Sequence, residues 1–170
     1  VTLGNAMRRV LLSSLPGAAV TWVKIEGIQH EFSTIPHVRE DVLEFLLNVK
    51  ELRLRPVTHQ PGNLFLDVEG EGVVSAADIQ GSIDFQVVNP ELSLASLDSD
   101  EAKLHVEFNV ELGRGYVPAV SADGLPVGAL PVDAVFSPVR KANYAVEPIN
   151  PGEERSPERL IIEVWTDSTV

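Results

Sequence analysis

Residues 103–112 read KLHVEFNVEL, and this stretch decides the fold class. Leu104, Val106, Phe108, Val110 and Leu112 fall on one side of an extended chain, and His105, Glu107, Asn109 and Glu111 on the other. Such alternation marks a strand with one apolar and one wetter face. Outward from it, LFLDVE (64–69) and LSLASL (92–97) alternate in the same way. IDFQVV (83–88) is a short apolar strand ending at Asn89-Pro90, and PVDAVFSPV, RKANYAV and LIIEVW continue the series toward the end of the chain. Turn chemistry separates them: HQPGN at 59–63, the acidic DSDE at 98–101, and a Gly/Pro-rich passage over 113–130 whose Gly113 and Gly115 suit a strand end with positive φ. Residues 148–157 read as an exposed linker or hairpin loop.

The first third of the chain differs. TLGNAMRRVLLSS (2–14) repeats its apolar residues at helical spacing, with Leu3, Met7, Val10 and Ser14 in one row, and Pro16-Gly17 stops it. Gly4 in its first turn costs about 1 kcal/mol against Ala, so either packing is close there or the helix starts later. AAVTWVKIEGI (18–28) reads as a strand with Ala19, Thr21, Val23 and Ile25 on one face, and HEFST as a short extended piece. Pro36 suits the first turn of a second helix whose buried stripe is Val38, Val42, Phe45, Leu46 and Val49. ELRLR (51–55) returns to strand. Two helices among many short strands give an α+β fold with a largely antiparallel sheet.

Composition narrows the function. The 170 residues are 44% apolar, contain no Cys and carry a net charge of −12. Disulfides, thiolate metal sites and a cysteine nucleophile are excluded, and a reducing compartment is compatible with the absence. No apolar run approaches the roughly 20 residues of a membrane span. The opening VTLGNAMRRV lacks the order of charges of a signal peptide. Residues 61–138 hold 13 of the 25 acidic groups and 2 of the 13 basic ones, so the middle of the chain repels phosphates and does not wrap nucleic acid. Positive surface is confined to the first third, at Arg8, Arg9, Arg39, Lys50, Arg53 and Arg55.

No catalytic constellation emerges. His30, His37, His59 and His105 lack metalloprotease spacing and read as solvated imidazoles. Asp98, Asp100 and Glu101 lack the glycine and closing glutamate of a calcium loop. Ser13-Ser14 have no nucleophile-elbow context. Glu40, Asp41 and Glu44 read as charges complementing a helix N-terminus. Arg8-Arg9, set within an otherwise apolar helix, stand apart. Either both snorkel from the edge of the stripe, or the helix has two partners, a second copy on Leu3/Met7/Val10 and another protein at Arg9 and Leu12.

LGNAMRRVLLSSLPGAAVT, HEFSTIPHVREDVLEFLLNVKEL, GRGYVPA and PVDAVFSPVRKANYAVE, in this order, resemble the amino-terminal domain of the bacterial RNA polymerase alpha-subunit family. The resemblance implies a dimerisation subdomain built from 1–16 and 139–170 around an inserted, strand-rich subdomain over 17–138. It implies a non-catalytic, cofactor-free cytoplasmic subunit that forms a homodimer and carries the beta and then the beta-prime subunits. By motif, the beta contacts fall on Arg9, Leu12 and Glu44, and the beta-prime contacts on Lys50, Val132 and Val139. The dimer contacts fall on Leu3, Met7 and Val10, and Arg8 matters less than Arg9. The family's opening strand, closing helix, linker and DNA-reading carboxy-terminal domain have no counterpart here, so no direct DNA binding is expected. The alternative is a free-standing acidic, β-rich protein-binding domain, and a small hydrolase stands behind it.

Overall fold

The computed structural model describes residues 1–119, 121 and 123–170. In chain order it forms α1 (Thr2–Ser13), β1 (Pro16–Ile25), α2 (Val42–Lys50), β2 (Leu54–Pro56), β3 (Gly62–Glu69), β4 (Gly72–Ser75), β5 (Phe85–Val87) and β6 (Ser93–Leu97). It continues with β7 (Lys103–Arg114), β8 (Tyr116–Val117), β9 (Ala129–Pro131), β10 (Ala134–Val135), β11 (Val139–Pro148) and β12 (Glu158–Thr166). Every strand pairing among the described residues is antiparallel. The α+β expectation therefore holds.

The alternating stretch at 103–112 is the spine. β7 pairs with β1 on one side and β3 on the other, in a sheet ordered β3-β7-β1-β2-β5, with β9 also on β1. Leu104, Val106, Phe108 and Val110 point into a continuous core with Leu64, Leu66, Val23 and Leu94. α2 closes this core with Val42, Phe45 and Val49, all essentially without exposed surface. Burying each such side chain contributes about 1.5–3 kcal/mol.

β1 departs from simple alternation. Its register against β7 shifts between Val20 and Trp22, and Ala18, Ala19 and Val20 are buried in succession. Ala18 and Val20 join the main core, whereas Ala19 joins a small separate cluster with Ala134 and Phe136. Phe136 lies over the paired glycines Gly17 and Gly113. A Cβ on Gly113 would sit 2.9 Å from the Phe136 ring, so this glycine serves close packing; the positive φ belongs to Gly115.

The second helix starts later than Pro36 suggested. Residues 33–41 are held as a loop by bridges Thr34↔Asp41 and Val38↔Leu97, and the Glu40 carboxylate accepts from the Ser96 N–H and hydroxyl at 2.6 and 3.1 Å. Asp41 then caps the helix, accepting from the Glu44 N–H at 2.8 Å. These non-local bonds outcompete the earlier start that Pro36 alone allows. HEFST is likewise bent and not extended, and the strand expected at 51–55 is confined to Leu54–Pro56.

α1 lies on the hairpin of β11 and β12. Gly4 is its one buried residue. A Cβ there would stand 2.5 Å from Tyr144 Cδ2 and 3.0 Å from Leu160 Cδ1, so close packing explains a glycine inside a helix. One turn on, Arg8 Nε donates to the Ala142 carbonyl at 2.8 Å. No residue of α1, β11 or β12 belongs to either buried cluster. This terminal layer is tied to the sheet at points, among them Arg55 of β2, which donates to the Ser168 and Thr169 carbonyls just after β12.

Candidate partner-docking surfaces

Helix geometry divides α1 into sectors. Gly4 and Arg8, four residues apart, face the hairpin. Leu3, Met7 and Val10 keep much of their surface free, at 66%, 41% and 54% exposed. Arg9 is exposed, and among the described residues its guanidinium takes part in no hydrogen bond or ion pair. Leu12 is half-buried beside it. The two neighbouring arginines thus have different jobs: Arg8 anchors the helix, and Arg9 is free to meet another molecule.

α2 also has an outer face. Asp41 fixes its first turn, which leaves Glu44 exposed between Leu43 and Leu47, themselves 43% and 63% exposed. Toward the end of α2 this face runs into a cleft of about 290 Å³ lined by Leu43, Leu46, Leu47, Lys50, Pro131 and Val132. The structure brings Lys50 and Val132 together here. Val139 does not line this cleft; it begins β11, is buried opposite Thr166, and exchanges backbone bonds with the Ser137 hydroxyl.

Two residues that the sequence does not single out stand against Lys50. Lys50 Nζ lies 3.3 Å from Asp133 Oδ2 and 5.6 Å from the centre of the Tyr116 ring. Asp133 Oδ1 accepts the Ala119 N–H at 2.6 Å. That N–H is the main reason the Asp133 carboxyl is held below the ordinary carboxylate range; partial desolvation opposes it, while Tyr116 and Lys50 reinforce it. A depressed folded-state value stabilises the fold above the unfolded value and loses that contribution as pH falls through the folded one. Wild type is accordingly expected to lose more stability than Asp133→Asn below about pH 4, and urea midpoints across pH 7 to 3 check this. Equal acid sensitivity in the two would deny the clasp a role in stability.

The histidines carry no metal geometry: among the described residues, no group of three His, Cys, Asp or Glu side chains is placed for an ion. His105 is nevertheless not merely solvated, because its Nδ1 lies 2.8 Å from Asp67 Oδ1 across β3 and β7. No described helix is long and apolar enough to cross a membrane.

Comparison with known proteins bears on what these surfaces serve. The model of the RNA polymerase Rpb3/RpoA insert domain family matches residues 23–137. DNA-directed RNA polymerase subunit alpha of Dehalococcoides mccartyi strain CBDB1 is 56% identical over 169 residues, covering 99% of this chain and 51% of that protein. The subunit of the same name from Roseiflexus sp. strain RS-1 is 52% identical over 169 residues, with 99% and 52% covered. That of Symbiobacterium thermophilum is 48% identical over 172 residues, with 100% and 54% covered. The chain thus spans about half the length of the curated relatives it matches.

Proposed function

Because the chain belongs to the family of bacterial RNA polymerase alpha subunits, and to their amino-terminal domain, we propose that it is a non-catalytic assembly subunit of the polymerase. Two copies pair through Leu3, Met7 and Val10. The beta subunit docks on Arg9, Leu12 and Glu44, and the beta-prime subunit on the α2 cleft at Lys50 and Val132, while Val139, buried at the start of β11, lies off that face. Residues 1–16 and 139–170 act as the dimerisation subdomain and 17–138 as the insert, in the cytoplasm and without a cofactor. The observation that carries this reading is α1 itself: Gly4 and Arg8 fix which side it rests on, and that leaves an apolar row facing outward. An exposed row on one helix suits a two-fold contact, in which the same patch serves both copies. Three side chains are small against the roughly 1,200 Å² of a specific interface, so neighbouring surface must join them.

The test is stepwise reconstitution of the full alpha chain. Met7→Glu places a charge at the centre of the row and is expected to weaken the dimer by about a hundredfold or more, read by light scattering over a concentration series. A Met7→Glu dimer as tight as wild type would remove α1 from the interface. Lys50→Ala is expected to leave the dimer and the alpha–beta complex intact and to block the last assembly step. Complete assembly by Lys50→Ala would show that the α2 cleft faces something other than beta-prime.

A further inference from the structure

We propose that Asp133 is the positioning residue of the α2 cleft, pinning residues 116–119 to the end of α2 so that Lys50 is presented in one fixed pose. This rests on the reading of Lys50 and Val132 as a docking face. Four observations meet at one carboxylate. One oxygen takes the Ala119 N–H at 2.6 Å. The other takes the Lys50 ammonium at 3.3 Å. Tyr116 stands over the same ammonium and close enough to the carboxylate to have its own ionisation altered by it. Ala119 and Asp133 both line the cleft beside Pro131 and Val132.

The chemistry explains why a carboxylate is suited to this place. Residues 116–119 come from β8 and the exposed chain after it, and among the described residues β8 pairs only with the short β10. Without Asp133 this segment has little else among the described contacts to hold it against α2. Lys50 has a long, flexible stem whose ordering costs entropy on binding. A fixed anion below it and an aromatic face beside it restrict that stem before any partner arrives, and preorganisation of this kind raises affinity without adding a contact. Asp133 also neutralises Lys50 within the cleft, so what the cleft presents is largely apolar, with Leu43 and Leu47 on its rim. Asp133 and Lys50 are both about one-third exposed, so the clasp is open to water and its value lies in geometry more than in Coulomb energy.

The experiment uses the full alpha chain and has two readouts. The first needs no partner. In a Tyr144→Phe background Tyr116 is the single tyrosine of this domain, and subtracting the absorbance near 295 nm of a matching Tyr116→Phe chain isolates its ionisation. Partial desolvation and the neighbouring Asp133 hold that phenol above its ordinary value. Asp133→Ala is expected to lower the midpoint, and Asp133→Asn to lower it as well while keeping an oxygen for the Ala119 N–H. The second readout is capture of beta-prime by the preformed alpha–beta complex. Asp133→Ala is expected to weaken it about tenfold or more, and Asp133→Asn, with the backbone bond retained, to recover most of the loss. Thermal melts of each variant separate this from unfolding. An unmoved Tyr116 midpoint, or wild-type capture by Asp133→Ala in a folded chain, overturns the proposal. If Lys50→Ala captures normally while the Tyr116 midpoint falls, the pinning stands and the docking assignment of the cleft is what fails.

Discussion

Arg9→Ala is expected to cut capture of the beta subunit by 30- to 1000-fold while the domain stays folded. Truncating an arginine anchor in a desolvated interface costs about 2–4 kcal/mol, which converts to that range. The side chain is free for such use because, among the described residues, it has no bond of its own to give up. Arg8 provides the contrast. Its Nε holds the Ala142 carbonyl, so Arg8→Ala is expected to lower the melting temperature first and to affect capture only as far as α1 loosens. A pull-down and a thermal melt on both variants separate the two roles. Wild-type capture by Arg9→Ala would show that the outward face of α1 is not the seat of the large subunit.

Gly17→Ala is the second large effect, and it is structural. A Cβ at this position would overlap the Phe136 carbonyl oxygen and lie 3.0 Å from its carbon. Backbone cannot rotate out of the way as a side chain can, so β1 and the 136–138 segment must separate. Overpacking of a side chain typically costs about 1–3 kcal/mol, and a clash with main chain is expected to exceed that, taking a large share of the 5–15 kcal/mol that holds a domain together. Gly81→Ala is the control: it has open space around it and ordinary φ, and it should change stability by less than about 1 kcal/mol. Urea unfolding of the two variants decides the matter. A Gly17→Ala chain as stable as Gly81→Ala would mean that the two segments can part freely.

These cases show which parts of the molecule local sequence reveals. The alternation of 103–112 and the helical row of α1 are periodic signals, and burial on one side is all they need to be correct. The start of α2 is not legible locally, because Pro36 is permissive whereas the deciding bonds come from Ser96, 56 positions beyond Glu40. β4 is not legible in the sequence, because it is short and its Val73 is 69% exposed, so it gives no alternation. Gly17 and Gly113 carry no local sign of Phe136, whose approach depends on a crossing made far along the chain. The docking residues follow from resemblance and not from spacing. Lys50 and Val132 do meet, and Val139 lies elsewhere. Asp133 and Tyr116 carry no local signal of their own, although each stands within a block that carries the resemblance. The signal available was the carboxylate next to Val132, and it became informative only once Lys50 was seen across from it.

The separation of α1, β11 and β12 from both buried clusters has a thermodynamic consequence. A layer with so little interior of its own borrows stability from whatever binds its outer side, and borrowed stability obeys mass action. A partner present at a hundred times its dissociation constant adds about 2.7 kcal/mol to the state it binds. Amide protons of α1 should therefore exchange faster on dilution, while those of β7 keep their protection. On the proposed reading, the subunit registers the concentration of its own copies through the local melting of one helix. On that reading, α1 is frayed in a chain made in short supply and finished in a chain made in sufficient amount.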